Sequence, residues 1–389
     1  MGPIAPGAWL GLLGGGQLGR MFCMAAQSLG YKVVVLDPGA DGPAGSVADR
    51  QIAADYLDPA ALAELARIAS AATTEFENVP AAALEYLARH ARVTPAAASV
   101  AIAQDRISEK MFLSGHGFAV APFAVLRAAA DVESADPRLF PGIVKSVRFG
   151  YDGKGQVRVG DRPAAVAAWH AMRADACVLE QLVPLRCEVS VIVARNDRGE
   201  TATWPVAENQ HRDGILDTSI VPARVTSAVA DGAREIATSI AAALDYRGVL
   251  CVEMFVTRDG TLLVNEIAPR PHNSGHYSID ACVTSQFEQQ ARVLAGLPLG
   301  ATRQHTPAVM VNLLGDLWFP PGSPHAAREP PWDRVLQHPE AKLHLYGKAE
   351  PRRGRKMGHV TCLGATLDDA LAIAAAVKAL LGIPGGESS

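Results

Sequence analysis

In "VEMFVTRDGTLLVNE" two acids, Glu253 and Glu266, stand on either side of a hairpin signal, Asp259-Gly260. A two-residue turn there pairs position 258 with 261 and, counting outward, Glu253 with Glu266. Carboxylates opposed on one face of an antiparallel pair repel each other unless a cation compensates, and oxygen-only ligation points to Mg²⁺, which bridges carboxylates to nucleotide phosphates. Two solvent-facing strand acids are the alternative. Immediately after the second acid, "NEIAPRPHNSGHYSIDA" sets Arg270, His272, Asn273 and His276 on a segment that Pro269 and Pro271 hold extended. Arg270 can receive a planar oxyanion bidentately, with His272 and Asn273 completing the hydrogen bonds, as carboxylate or bicarbonate recognition requires.

Two glycine loops suit phosphates. In "VKSVRFGYDGKGQVRV", Gly150, Gly153, Gly155 and Lys154 lie between strand-like runs, so backbone N–H groups can fold around phosphates while Lys145 meets their charge. An ordinary glycine turn is the alternative. Near the start, "GLLGGGQLGRM" holds Gly14, Gly16 and Gly19, followed by Asp37 in "YKVVVLDP". Taken alone, that spacing suits a dinucleotide-binding turn and a dehydrogenase. A phosphate at a helix N-terminus asks for the same glycines. Glu180, in "VLEQLVPLRCEVSV", follows an apolar run whose main chain can face a purine edge. "YGKAEPRRGRKMGH" gathers Lys348, Arg352, Arg353, Arg355 and Lys356, either a solvated basic turn or a phosphate grip.

These residues need a scaffold, and its outline is legible. A chain of 389 residues exceeds one core and implies two to three domains. Residues 9 to about 105 alternate strand runs ("WLGLLG", "KVVVLD") with Ala-rich helices, which predicts a parallel sheet with helices on both faces. Residues 106–299 read as α+β, with β-rich runs such as "CEVSVIVAR", and residues 300–389 as a small β-rich domain closed by the helix "TLDDALAIAAAVKALL". A formal net charge of −4, spread along the chain, argues against nucleic acid or a membrane surface as partner. Six scattered cysteines without a C-x-x-C pair suggest reduced thiols in the cytoplasm. The start "MGPIAPGAWLGLLGGG" carries no targeting pattern, and no apolar run nears the ~20 residues of a membrane span, so a soluble protein is expected.

Seven stretches, "GGGQLGRM", "TTEFENVP", "QDRISEK", "GYDGKGQ", "EQLVPL", "NEIAPRPHNSGHY" and "YGKAEPRRGRKMGH", occur in the order in which they are found in the ATP-grasp family, and together they resemble its N5-carboxyaminoimidazole ribonucleotide synthetases of purine biosynthesis. The resemblance implies a Rossmann-like pre-ATP-grasp domain (1–105), an ATP-grasp domain (106–299, lid about 117–185) and a C-terminal domain (300–389). It implies an ATP-dependent ligase that carboxylates aminoimidazole ribonucleotide with bicarbonate through carboxyphosphate, as a cytoplasmic homodimer using ATP and Mg²⁺ and no NAD. Carried over by position, Lys145 and the loop Gly150, Tyr151, Asp152, Gly153, Lys154, Gly155 and Gln156 would cover the ATP phosphates, with Arg106, His211 and Asn265 as further nucleotide contacts. Glu180, Gln181, Leu182 and Val183 would hold adenine and Glu188 the ribose. Glu253 and Glu266 would bind Mg²⁺; Arg270, His272 and Asn273 would hold bicarbonate. Gly16, Gln17, Leu18, Tyr151, Asp152, Lys348 and Arg355 would address the imidazole nucleotide, Lys348 also serving the chemistry. The loop departs from the family pattern in carrying Phe149 before Gly150, where a second glycine often stands. A formate-using ATP-grasp transformylase, a dehydrogenase and a non-catalytic nucleotide sensor are the competing readings.

Overall fold

The N-terminal strands are apolar on both sides, and that dictates their surroundings. In a computed structural model, which describes residues 2–148, 155–173, 176–319 and 327–384, β1 (Trp9–Leu13), β2 (Lys32–Asp37), β3 (Arg50–Ala53), β4 (Ala71–Thr74) and β5 (Arg92–Val93) form an all-parallel sheet of order β3-β2-β1-β4-β5. Successive side chains alternate faces. Leu10, Leu12, Val33 and Val35 pack on Phe22 of the helix Gln17–Ser28 and on Phe287 and Leu294 of the distant helix Gln286–Ala295. Leu13, Val34 and Leu36 face the other way, onto Leu62, Leu65, Leu84 and Leu87. The helix Gln286–Ala295 thus fastens the first sheet to the middle of the chain.

A second sheet is antiparallel and small. β6 (Phe123–Leu126), β7 (Gly142–Ser146), β8 (Gln156–Val159) and β9 (Cys177–Gln181) assemble in the order β6-β9-β7-β8, with Leu126, Val144 and Leu179 buried against the helix Arg162–Met172.

The third sheet runs through the rest of the chain. It comprises β10 (Leu185–Arg195), β11 (Thr201–Thr203), β12 (Ala207–Arg212), β13 (Ile215–Val221), β14 (Gly248–Thr257), β15 (Leu262–Ala268), β16 (Ala308–Leu314), β17 (Ala341–Leu345) and β18 (Lys356–Leu363), in the order β15-β14-β10-β12-β13-β16-β18-β17 with β11 beside β10. The strands beyond residue 300 extend the central sheet, β16 pairing with β13, rather than making a sheet of their own. The helix Ser227–Ala243 covers one end through Ala233, Ala237 and Ile240. The helix Leu367–Leu380 covers the other through Ala370, Ala374 and Val377. All six cysteines are free thiols, five of them buried, and among the described residues no helix is long and apolar enough to cross a membrane.

Candidate active site

Glu253 and Glu266 pair directly across β14 and β15, but by another route than the turn chemistry predicts. The turn has three residues, 258–260, because Gly260 adopts φ +87° and Asp259 Oδ1 accepts from the Thr257 hydroxyl and the Thr261 N–H, while the Thr257 N–H donates to the Thr261 carbonyl at 2.9 Å. That turn sets Met254 opposite Val264, one residue out of step with the expected register. A bulge at Asn265 then inserts one residue and brings Glu266 back opposite Glu253. Two offsets cancel.

Around these acids the charges interlock. Arg106, on the helix Arg106–Gly115, reaches Glu266 at 3.5 Å, and His272 Nε2 lies 3.3 Å from Glu253. The Ser274 N–H donates to His272 Nδ1 at 3.3 Å, so the ring hydrogen sits on Nε2 and faces Glu253. Burial, followed by the neighbouring Arg270, keeps His272 neutral by pulling its pKa well below the ordinary histidine value. Burial and then the charge of Glu266 push the Glu253 carboxyl above the usual carboxylate range. Burial lowers the His211 pKa, but Glu188 at 3.0 Å, with Glu253 and Glu266 behind it, outweighs that and lifts it to about 9. This much uncompensated acid fits a hard divalent cation. Cys251 also stands near Glu253 and His272, but Ser274 Oγ already engages both, at 3.9 Å from the thiol and 2.9 Å from His272 Nδ1, and burial keeps the thiol protonated. The donors left for a cation are carboxylate oxygens.

A cleft of about 730 Å³ opens beside Glu266 where the three regions meet. Gln17, Leu18, Glu75 and Glu77 line it from the first region; Arg106, Glu109, Glu266, Arg270, His272 and Asn273 from the middle one, its floor; Lys348, Arg352, Arg353, Arg355 and Lys356 from the last, a basic wall. The basic turn is therefore part of the cleft. Within it, Lys348 Nζ donates to the Lys356 carbonyl at 2.6 Å, and Arg355 Nη1 to the Glu350 carbonyl at 2.8 Å. The floor keeps hydrogen-bonding capacity in reserve: both amide atoms of Asn273 and Nε and Nη1 of Arg106 are buried without a partner among the described residues. Arg270 is committed further than its sequence suggests, with Nε on Glu77 and Nη1 on the Pro271 carbonyl at 3.1 Å. Side-on capture of an oxyanion through Nε and Nη2 thus requires Glu77 to move, whereas Nη2 and the second Nη1 hydrogen are left for a ligand with Glu77 in place.

The first glycine loop is also occupied by protein. Gly15 donates its N–H to Asp37 at 2.7 Å, and Glu75 accepts from Gly16 and, at 2.7 Å, from Gly19. Asp37, also bonded to the Tyr56 hydroxyl at 2.6 Å, braces the loop instead of waiting for a ribose, and the dinucleotide reading fails there. The Gly16 amide is engaged by Glu75 as well, so a phosphate there would have to displace that carboxyl; Gln17 and Leu18 line the cleft.

On the small sheet, Lys145 donates to Glu180 at 2.9 Å, and Lys110 lies 3.4 Å from the same oxygen. Burial works to raise the Glu180 carboxyl, but the two lysines outweigh it and hold it below the usual range. The amides of Gln181 and Leu182 are spent on the Pro122 and Pro141 carbonyls at 2.9 Å each, so the rest of the segment through Val183 would have to read a purine edge. Gln156 pairs with Lys145 across β8 and β7, and Gly155 precedes it at φ +70°. Gly150, Tyr151, Asp152, Gly153 and Lys154 lie outside the described residues.

Comparison with known proteins decides what this arrangement belongs to. Residues 8–104 match the ribonucleotide synthetase preATP-grasp domain, 111–287 the ATP-grasp domain and 308–373 the phosphoribosylaminoimidazole carboxylase C-terminal domain. The chain is 48% identical over 361 residues to the N5-carboxyaminoimidazole ribonucleotide synthase of Brucella melitensis, covering 92% of this chain and 97% of that one, and 45% identical to the Bacillus subtilis enzyme, covering 92% of each. The chain belongs to the N5-carboxyaminoimidazole ribonucleotide synthase family.

Solved members of that family superpose closely. An ADP complex of an N5-carboxyaminoimidazole ribonucleotide synthetase gives a TM-score of 0.90 at 42% identity, covering 97% of this chain and 98% of that one. The Aspergillus clavatus synthase in complex with ADP and 5-aminoimidazole ribonucleotide gives 0.87 at 30%, covering 97% and 99%. Within this synthase fold, Arg106, Glu266, Arg270, His272, Asn273, Gln17, Leu18, Lys348 and Arg355 share one cleft, whereas Lys145, Glu180, Glu188 and His211 lie off its lining, on β7, β9, β10 and β12. Residue-level reasoning missed Glu75, Glu77, Glu109 and Lys110. The available signal was acids two apart after the buried "TT" of "TTEFENVP", and an Arg, Glu and Lys on one helix face in "QDRISEK".

Proposed function

We propose that this chain carboxylates 5-aminoimidazole ribonucleotide with bicarbonate at the expense of ATP, giving N5-carboxyaminoimidazole ribonucleotide, ADP and phosphate. The observation that carries the reading is the cleft itself, in which Glu266, set opposite Glu253, shares one lining with Arg270, His272 and Asn273 and with a basic wall. A bicarbonate oxygen attacks the γ-phosphorus, the bond to the β-phosphate oxygen breaks and ADP leaves. The resulting carboxyphosphate releases CO₂ and phosphate, and the exocyclic amine adds to the carbon while losing a proton. Most of this chemistry is positioning and charge neutralisation.

Asn273 and Arg106 offer the bicarbonate and phosphate oxygens the donors they hold in reserve, and Arg270 adds a cation. Neutral His272, its Nε2–H on Glu253, lines the same part of the cleft without adding charge. Lys348 and Arg355 would meet the ribonucleotide phosphate in the cleft that they share with Gln17 and Leu18. Glu253 and Glu266 would hold Mg²⁺, which when bound neutralises charge on the phosphates. The loop from Gly150 to Gln156 would shield the labile intermediate from water. Free thiols support a cytoplasmic setting. The homodimer and the division at 1–105, 106–299 and 300–389 rest on the family pattern.

The test is ADP release with Mg-ATP and labelled bicarbonate, with and without aminoimidazole ribonucleotide. Strong stimulation with label in the carbamate is expected. ATP turnover without label overturns the bicarbonate role of Arg270, His272 and Asn273, and stimulation by formate in bicarbonate-depleted buffer identifies a transformylase instead.

A further inference from the structure

The bulge at Asn265 is what makes the two acids meet. With Met254 opposite Val264, an unbroken ladder would set Asn265 opposite Glu253 and turn the Glu266 side chain to the other face of the sheet. β15 is the outer strand of its sheet, so the backbone groups it turns away from β14, at the bulge and beside it, must find partners off the ladder. Both partners here come from one helix. Lys110 Nζ donates to the Asn265 carbonyl at 3.0 Å, and Glu109 Oε1 accepts the Ile267 N–H at 2.6 Å. The backbone is thereby held on each side of Glu266. Arg106, on the same helix face, reaches the Glu266 carboxylate at 3.5 Å. Lys110 is fully buried and lies off the cleft lining, so it acts on no ligand there directly. Burying an ammonium and a carboxylate is a costly way to stabilise a fold, and the better-attested use of such groups is to fix one conformation against its alternatives.

We infer that Glu109 and Lys110 are positioning residues that clamp the Asn265 bulge and so keep Glu266 facing Glu253. The inference deepens, and rests on, the reading of those acids as the divalent-cation pair. Its test compares Glu109→Ala, Glu109→Gln and Lys110→Met with the parent enzyme and with Glu266→Gln. Mn²⁺ binding to the ADP-loaded protein is followed by electron paramagnetic resonance, and hydrogen exchange is followed in the peptide that contains Ile267. Glu109→Ala and Lys110→Met are expected to weaken Mn²⁺ binding about tenfold, and Glu109→Gln, which keeps an acceptor for the Ile267 N–H, to stay within about threefold of the parent. Faster exchange in the Ile267 peptide should accompany only Glu109→Ala and Lys110→Met.

Parent-like Mn²⁺ affinity in Glu109→Ala overturns the clamp, as does a loss in Glu109→Gln equal to that in Glu109→Ala, because charge rather than the backbone hold would then matter. If Glu266→Gln itself binds Mn²⁺ like the parent, the cation reading falls. The clamp is then judged on crystal structures of Glu109→Ala and Lys110→Met: an intact bulge with Glu266 still opposite Glu253 overturns it, and a lost bulge supports it. If neither variant folds, Glu109→Gln decides: Mn²⁺ affinity within about threefold of the parent, with unchanged exchange in the Ile267 peptide, supports the clamp, and a loss equal to that in Glu266→Gln overturns it.

Discussion

Glu75 carries a carboxylate onto the first turn of the helix Gln17–Ser28, a position that attracts anions because unpaired amides and the helix dipole are concentrated there. Burial, opposed by the amides of Gly19 and Gly16, raises its pKa from 4.5 to about 7. A carboxyl that is harder to ionise when folded stabilises the fold fully below its unfolded pKa and loses that contribution as pH climbs through the folded value. Stability is therefore expected to fall by roughly 3 kcal/mol, from this group alone, as pH rises from 4.5 past about 7. Thermal unfolding across that range checks it: Glu75→Gln should flatten the wild-type slope, and an unchanged slope removes Glu75 as its source. Such a residue hides well in a sequence. Glu75, Glu77, Glu109 and Lys110 resemble ordinary surface charges until the chain folds, because their partners Gly16, Arg270, Ile267 and Asn265 lie far away along it. Arg270, His272 and Asn273 were legible because the sequence crowds them together beside an acid.

At the scale of elements, the parallel sheet was readable because strands buried on both faces produce unbroken apolar runs such as "KVVVLD". The opposed acids were readable only in outcome. Asp259-Gly260 announces a hairpin, but whether two or three residues close it depends on side-chain bonds to Asp259, and nothing in "LLVNEIA" announces a bulge. The small sheet carries its own prediction. Leu179 is fully buried at its centre, one residue before Glu180. Leu179→Ala should cost about 2–5 kcal/mol and loosen the sheet that presents Lys145 and Glu180. Steady-state kinetics should then show KM for ATP rising more than KM for the ribonucleotide; equal increases would mean that the damage is not confined to this sheet.

For the molecule as a whole, a net charge of −4 conceals a cleft whose lining includes Lys348, Arg352, Arg353, Arg355 and Lys356. A local cationic wall on an acidic protein attracts anions over about one Debye length, near 10 Å at 0.1 M salt. KM for the anionic ribonucleotide should accordingly rise several-fold between about 20 and about 200 mM salt, and more steeply than kcat changes. A flat KM would mean that the wall recognises its ligand by contact alone. The third sheet has a mechanical consequence. Its ladder is continuous from β15, which bears Glu266, through the β13–β16 pairing of Thr218–Val311 to Val221–Ala308, and on to β18, at whose start Lys356 stands. Glu266 and Lys356 thus stand on one beam, and the strands that carry them cannot part without tearing that ladder. The span between them is set when the chain folds, like the gap of a fixed gauge, and a grip that tightens on substrates has to be delivered by parts outside that ladder.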